Sequence, residues 1–171
     1  MTDQQSDQTD CGPMPAPGPE HKLLEPFAGT FRAEVKMWMG PGEPQTMTGT
    51  MLNELDLGGL VLRQTYKGDG AEGPFPNFEG RGWWAYNRAA GHYEGMWIDN
   101  AAPFFQAETG RVDPSGRVWE MTGTMLNPQT GEPLTKRTII TLQDENHHSM
   151  QTYFGTPQGE FKGMEIHYTR A

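Results

Sequence analysis

The chain has 171 residues, 35% of them hydrophobic, and a formal net charge of −9. This length suits one domain, since single domains usually contain about 100–200 residues, and the acidic balance disfavours binding to nucleic acid or to anionic membranes. The single cysteine, Cys11, excludes an internal disulfide and a cysteine-based zinc cluster.

Residues 1–19 are predicted to form a tail outside the folded domain. The segment is mainly Thr, Asp, Gln, Ser, Pro and Gly, which bury too little apolar surface to offset the entropy of an ordered chain. It lacks the basic start and apolar stretch of a signal peptide, and no part of the sequence is apolar enough to span a membrane. We therefore predict a cytoplasmic protein with a disordered or extended tail. Alternatively, the tail docks a partner and presents Cys11 for crosslinking.

The folded domain is predicted to span residues 20–171 and to begin with a short helix. Leu23, Leu24 and Phe27 are spaced as one apolar helix face, which Pro26 and Gly29 end after one or two turns. A short helix with one apolar face is suited to plug the end of a β-barrel.

From Thr30 onward the hydrophobic pattern has a period of two residues, which indicates strands with one buried face. In the first strand, Phe31, Ala33 and Val35 alternate with polar residues. Segments rich in turn-forming residues separate the runs, and the pair of glycines at 58–59 predicts a hairpin. The predicted strands are residues 30–39, 46–57, 60–68, 78–87, 92–99, 104–112, 118–127, 135–143, 148–154 and 161–170.

About ten sequential strands joined by short turns predict an all-β fold, a single antiparallel up-and-down β-barrel of the lipocalin-like kind with a short N-terminal helix. An open sheet would expose its apolar face and both edges, whereas closure removes the edges and creates an interior. A two-sheet sandwich is the alternative, and the hairpin-by-hairpin order favours the barrel.

The segment MTGTMLN occurs twice, at residues 47–53 and 121–127. In both copies Met-Gly-Met falls on one strand face, and a glycine inside a strand often marks a bend or a close backbone approach. Repeated use of one structural solution accounts for the match. A duplication of half a barrel is the alternative.

Four segments carry a resemblance to a known family: PEHKLLEPFAGTF, TMTGTMLNELDLGGLVLRQTYKG, HYEGMWIDN and GEFKGMEIHYTR. They resemble the bacterial domain-of-unknown-function family 1579 (DUF1579) over residues 20–170. The Leu-Gly-Gly turn and the Tyr-x-Gly-x-Trp-Ile-Asp stretch are the most specific marks, and Phe31 stands where such proteins usually have Trp. The resemblance implies a lipocalin-like barrel and no particular activity, because a shared fold does not carry function.

The alternation collects methionine and aromatic side chains on a common inner face. Methionine is flexible and adapts to irregular space or to a ligand, and a ten-strand barrel is wide enough to enclose one. We therefore predict a non-catalytic binder of a small apolar ligand, with a packed, ligand-free core as the alternative. The predicted lining residues are Phe31, Val35, Met37, Met47, Met51, Trp84, Tyr86, Trp97, Met121, Met125, Met164 and Tyr168.

Histidine provides a test of haem binding. The opening helix followed by Gly-Thr-aromatic-Arg is distantly similar to the nitrobindins, which hold haem iron through a histidine near the C-terminus, and His167 lies near this C-terminus. Strand alternation places His167 opposite the apolar set, facing water, unless a β-bulge reverses it. His147 and His148 are predicted to lie in a solvated turn. We predict no metal and no cofactor, with haem as an alternative.

The sequence has no recognisable enzyme motif, so we assign no catalytic residue. His92 and Glu94 share a strand face, and Glu94 with Asp99 near Trp97 offers a second weak carboxyl site. Trp83 should face outward beside Met96 and Ile98, an apolar patch that favours a homodimer. A structural or assembly protein acting through this face or the tail is therefore the alternative function.

Overall fold

The computed structural model describes residues 14–71, 74–127, 130–157 and 159–171. Helix α1 (Pro19–Lys22) and a 3-10 turn (Glu25–Phe27) precede the strands, and we call these residues 19–27 the plug. The strands are β1 (Gly29–Met37), β2 (Gln45–Asp56), β3 (Val61–Gly68), β4 (Glu79–Asn87), β5 (His92–Asp99), β6 (Gln106–Val112), β7 (Val118–Leu126), β8 (Pro133–Leu142), β9 (His147–Thr156) and β10 (Gly159–Arg170).

The ten strands form a closed antiparallel barrel in which each strand pairs with its neighbours in sequence and β1 pairs with β10. The closing register runs from Phe31 opposite Arg170 to Met37 opposite Met164. The predicted all-β up-and-down barrel is therefore confirmed. Closure satisfies the backbone groups of the first and last strands, which would otherwise be exposed edges.

The topology gives the barrel two unlike ends. The loops after β2, β4, β6 and β8 lie at one end, together with the plug, and we call this the plugged end. The loops after β1, β3, β5, β7 and β9 lie at the opposite end, which we call the far end. The predicted hairpin at Gly58 and Gly59 is present at the plugged end, where both glycines have the left-handed φ that such a turn needs.

The plug packs into the barrel through the apolar face that the sequence predicts. Leu24 and Phe27 are 0% and 1% exposed, and they belong to a core cluster with Leu62, Tyr93 and Trp119. The ring of Phe27 meets the edge of Trp119 at 5.0 Å between centroids. Apolar burial of this kind is worth about 1.5–3 kcal/mol for each large side chain. The predicted plug is thus confirmed.

Hydrogen bonds fasten the plug to the strands. Arg170 at the end of β10 donates from Nη1 to the carbonyl oxygen of Ala28 and from Nη2 to that of Pro26, both at 2.8 Å. Asn53 on β2 donates from Nδ2 to the carbonyl oxygen of Phe27 at 2.9 Å. These bonds satisfy carbonyls that the short helical turns leave without an internal partner.

Glycines on the inner face make room for large neighbours. A Cβ at Gly49 would collide with the hydroxyl of Tyr66, and one at Gly123 would collide with the carbonyl oxygen of Ala107. These two glycines occupy the same place in the two MTGTMLN segments. In both copies the missing side chain accommodates a group from an adjacent strand, which supports the interpretation of the repeat as one structural solution used twice.

The described part of the predicted tail contacts the barrel at the plugged end. Arg88 donates to the carbonyl oxygen of Ala16 at 2.5 Å. Gly18 donates its backbone N–H to His21 Nδ1 at 3.1 Å. The prediction for residues 1–13, including Cys11, lies outside the described residues.

Candidate functional site

Half-buried inward side chains gather toward the far end of the barrel. At the plugged end the inner face is filled by the plug and its core cluster. Toward the far end, several inward residues keep part of their surface accessible, and three of them (Met47, Trp97 and Met164) pack against the neighbouring core cluster. The full set is Met37, Met47, Trp97, Met125 and Met164. All five belong to the predicted ligand-lining set.

A cleft of about 220 Å³ lies at the far end, between the β3–β4 loop and the β5–β6 loop. Five of its six lining residues are apolar, but polar atoms form nearly half of the exposed lining, and the cleft is open to solvent; the lining residues are Pro74, Phe75, Pro76, Phe78, Asn100 and Ala101. Phe78 also packs edge-on against Tyr66, with 5.7 Å between ring centroids, and joins the core cluster that contains Trp97 and Met164. One aromatic ring therefore connects the cleft to the inner face of the barrel.

An ion pair lies on the inner face near the far end. Lys136 Nζ is 3.3 Å from Glu108 Oε2, and the two side chains are only 12% and 14% exposed. Thr138 Oγ1 donates to Glu108 Oε1 at 2.5 Å. This group was not predicted from the sequence, because β6 carries little apolar alternation. The available signal was on β8, where Lys136 and Thr138 are spaced two residues apart along the same strand face as the apolar Ile140.

His148 lies inside the plugged half of the barrel, so the prediction that it occupies a solvated turn is wrong. β9 begins at His147, so His148 lies within the strand and not in the turn, on the same inward face as Met150. Its ring stacks on Tyr168 with 4.3 Å between centroids and meets the edge of Phe31 at 4.6 Å. Burial, and then the nearby Arg170 guanidinium, lower the pKa of His148 to about 3. The imidazole is therefore neutral at physiological pH.

A small cavity adjoins this histidine. Its volume is about 20 Å³, and its lining includes Gln64, Trp84, His148 and Tyr168. The Nδ1 atom of His148 is buried and has no hydrogen-bond partner within the described residues. A cavity of this size can hold about one water molecule and is far below the roughly 300–1,000 Å³ of sites for drug-sized ligands.

All twelve predicted lining residues fall on the inward-facing positions of their strands, but they do not surround one open space. Five are buried in the two core clusters: Phe31, Val35, Met51, Met121 and Tyr168. Trp84 and Tyr86 are half-buried and pack against the plug's cluster. The other five are the far-end residues described above. The inner face is thus mostly core in its plugged half.

His167 points away from the barrel interior, as strand alternation predicts. Its Nε2 lies 2.8 Å from Glu165 Oε1 on the outer face, and its side chain is half-exposed. A bulge does occur in β10, between Lys162 and Met164. It precedes Met164 and leaves Ile166 and Tyr168 inward. The histidine proposed for haem is therefore not brought to the inner face.

The two candidate acid–base pairs differ in their outcome. His92 Nε2 does approach Glu94 Oε1, at 3.4 Å, on the outer face of β5. The pairing of Glu94 with Asp99 is wrong, because the two carboxyls lie on opposite faces of the strand. Asp99 instead accepts from Trp97 Nε1 at 2.8 Å and from the backbone of the following turn.

Trp83 and Trp84 face opposite sides of β4, as predicted. Trp84 packs against the inner cluster, and Trp83 lies outward opposite Met96, which is 39% exposed. The homodimer expected from this outer face stays a prediction.

Within the residues that the structure describes, no three His, Cys, Asp or Glu side chains are grouped to hold a metal ion. In the same residues, no helix has the length and apolar character needed to cross a membrane.

Solved structures similar to this chain have low sequence identity to it. A redesigned beta barrel, b11L5F_LGL, is 13% identical with a TM-score of 0.45 and covers 92% of this chain and 99% of its own. EF1p2_mFAP2b bound to DFHBI is 9% identical with a TM-score of 0.41, covering 89% and 99%. A protein of the DUF3598 family from Nostoc punctiforme is 10% identical with a TM-score of 0.28, covering 91% and 100%. These likenesses assign no activity.

Sequence comparison identifies the family. No curated protein matches the chain. The profile of one family, described as "Protein of unknown function (DUF1579)", matches residues 16–170, which include the plug and all ten strands. The predicted resemblance is confirmed: this chain belongs to the DUF1579 family.

Proposed function

We propose that this protein is a non-catalytic binding module that holds a small apolar ligand at the far end of its barrel. The observation that carries the proposal is the open cleft of about 220 Å³ between the β3–β4 and β5–β6 loops, five of whose six lining residues are apolar. Binding sites are typically concave, mostly apolar and equipped with a few polar groups. The far end combines these features, whereas the plugged half offers a cavity of about 20 Å³.

The residues around the cleft support a ligand that reaches toward the inner face. Phe78 is half-buried and spans from the cleft to the core cluster, and Met47, Trp97 and Met164 pack against that same cluster. Methionine side chains rearrange at low cost. We therefore expect the methionines to move aside for a ligand longer than the cleft itself.

Binding is favoured over catalysis by the state of the nearby polar groups. Asp99 accepts hydrogen bonds from Trp97 Nε1 and from the backbone N–H groups of Ala101 and Ala102. A carboxylate held in this way organises a turn, and three of its roughly four acceptor positions are already engaged. It is a poor general base, since proton abstraction needs a free acceptor within reach of the substrate.

The test is to titrate the full chain with N-phenyl-1-naphthylamine, an uncharged apolar fluorophore, and to compare two alanine-to-tryptophan variants. Ala101→Trp places an indole in the cleft and should weaken probe binding by about tenfold or more, equivalent to about 1.4 kcal/mol. Fluorescence enhancement gives the dissociation constant of each protein.

Ala90→Trp is the matched control at the plugged end. Both alanines are exposed turn residues. Both also donate a backbone N–H at 3.0 Å to the side chain that ends the preceding strand, Ala101 to Asp99 and Ala90 to Asn87. The control should bind the probe as the unmodified chain does. Absence of probe binding by the unmodified chain, or equal binding by both variants, contradicts the proposal.

A further inference from the structure

The ion pair of Glu108 and Lys136 is an exception on an inner face that is otherwise largely apolar. The two residues belong to strands that are not adjacent, since β7 lies between β6 and β8. Gly123 on β7 is the direct partner of both, Glu108 on one side and Lys136 on the other. The two side chains meet across this glycine because it presents no side chain of its own.

The space beside Gly123 is occupied by this contact, so a side chain would not fit there. A Cβ there would lie 3.1 Å from Glu108 Cγ, besides colliding with the backbone of Ala107. The carboxylate is also held from below, because Thr138 donates to it at 2.5 Å while the Thr138 and Thr152 hydroxyl oxygens lie 3.5 Å apart. The pair therefore has a fixed position rather than a loose one.

The ammonium group of Lys136 has more hydrogen-bond donors than it has partners within the described residues. An ammonium group has three donors, and within the described residues the contact of Lys136 Nζ is with Glu108 alone, at 3.3 Å. The Lys136 side chain as a whole is only 12% exposed, which restricts its contact with water. A buried charge with unused donors is costly, and a ligand group would offset this cost by accepting from it.

The surroundings define where such a group would come from. On the inner face, Lys136 is the direct partner of Phe154, and Met125 follows Gly123 on β7 at the next inward position toward the far end. A ligand entering at the far end would thus pass apolar side chains before it reached the charges.

We propose that the Glu108–Lys136 pair binds the polar end of the ligand, and that this end is an uncharged group that both donates and accepts hydrogen bonds, such as an alcohol or a primary amide. This inference rests on the proposed function. A hydroxyl can donate to the Glu108 carboxylate and accept from the Lys136 ammonium. A carboxylate or an amine would instead add a net charge to a balanced and largely enclosed pair, which is unfavourable.

The test is an NMR titration of the full chain, labelled with ¹³C at its methionine methyl groups, against 1-octanol, octanoate and octylamine at neutral pH. Signals of Met125 and Met164 report binding at the far end. Met14, which is 89% exposed and lies ahead of the plug, serves as the internal reference. We expect 1-octanol to saturate the shifts at a concentration about tenfold or more below the two charged ligands.

Two double variants show whether the pair causes the preference. Glu108→Leu/Lys136→Met replaces the pair with apolar side chains, an exchange that buried ion pairs often tolerate, and should abolish the advantage of 1-octanol. Glu54→Leu/Arg63→Met removes an exposed outer pair, with 2.8 Å between its charged groups, and should preserve the advantage. Thermal unfolding of each variant verifies that the fold is intact.

The outcomes separate the two proposals. Equal or tighter binding of octanoate or octylamine by the unmodified chain, or an alcohol preference that survives loss of Glu108 and Lys136, overturns this inference and leaves the binding module standing. Absence of any shift at Met125 and Met164 with all three ligands also overturns this inference, and the binding module falls with it only if the fluorescent probe fails to bind the unmodified chain as well.

Discussion

The two ends of the barrel differ in how far their large side chains are buried and hydrogen-bonded. At the plugged end, Leu24 and Phe27 are almost wholly buried, and three donor atoms of Arg170 bind the carbonyl oxygens of Pro26, Ala28 and Glu145. Large apolar side chains are exposed at both ends, but they are more numerous at the far end. They are Leu55 and Leu57 at the plugged end, and Met39, Phe104, Phe105, Leu126 and Phe161 at the far end.

This difference indicates that the two ends of the barrel have different roles, one in stability and the other in binding. Burial and satisfied hydrogen bonds are what stabilise a fold, and both are concentrated around the plug. Exposed apolar groups stabilise the fold little, and a surface contact forms most readily where several of them lie together. We therefore expect stability to depend on the plugged end and binding to depend on the far end, and the predictions below test that division.

The largest effect should follow Phe27→Ala at the plugged end. Phe27 is 1% exposed and meets the rings of Trp84, Trp119 and His148. Deleting a buried phenyl ring leaves a cavity and should lower the free energy of unfolding by about 3–5 kcal/mol. Urea denaturation measures the change. The control, Phe105→Ala, removes the same ring from a site that is 65% exposed, and an equal loss there would contradict the division.

Acidification should destabilise the plugged end next most strongly. The pKa of His148 is about 3 in the folded chain against an ordinary value of 6.5, so the unfolded chain binds more protons between these values. Stability from this group is therefore complete above pH 6.5 and is lost as the pH falls toward 3, by about 1.4 kcal/mol for each pH unit.

Replacing the histidine isolates this dependence. His148→Phe keeps a ring against Tyr168 and Phe31 but does not titrate. Its unfolding free energy should vary less between pH 7 and pH 4.5 than that of the unmodified chain, by about 2–3 kcal/mol. Phe105→Leu replaces an exposed side chain that carries no titratable group; it is the control and should keep the unmodified slope. Parallel curves for the unmodified chain and His148→Phe would show that His148 is not buried as described.

A smaller effect is expected from Arg170→Met, which keeps the aliphatic stem and removes the guanidinium. The carbonyl oxygens of Pro26 and Ala28 then lose their charged donor, and hydrogen bonds to charged groups contribute about 1.5–3 kcal/mol. We expect a loss near 2 kcal/mol by urea denaturation. Arg63→Met removes a guanidinium from the exposed outer pair and should change stability by less than about 1 kcal/mol.

The same contrast explains how far the sequence could be interpreted. The strands and their inward positions could be predicted from the alternation of apolar and polar residues. In β1, for example, the apolar Phe31, Ala33 and Val35 alternate with polar residues, and all three are buried. The plug followed from the spacing of Leu24 and Phe27. These features are local, and hydrophobic periodicity reports them directly.

Hydrophobic periodicity does not predict the polar groups on the inner face. Glu108 and Lys136 are 28 positions apart in sequence, and their contact depends on the closed topology and on a glycine between them. His148 was missed because its predicted place is the turn before β9, whereas β9 begins at His147 and makes His148 its second residue, on the inward face. In each case the polar residue type suggested exposure to solvent, whereas the place of the residue in its strand determines whether the side chain faces inward.

The smallest change in stability should follow Phe105→Ser/Leu126→Gln at the far end. These side chains are 65% and 58% exposed, and exposed substitutions usually alter stability by no more than about 0.5 kcal/mol. Retention on a hydrophobic-interaction column should fall nevertheless, because apolar surface is removed. A loss above about 1 kcal/mol in urea denaturation would mean that these side chains pack against the barrel. Both ends would then stabilise the fold, and the far end would lose its distinct role as a binding surface.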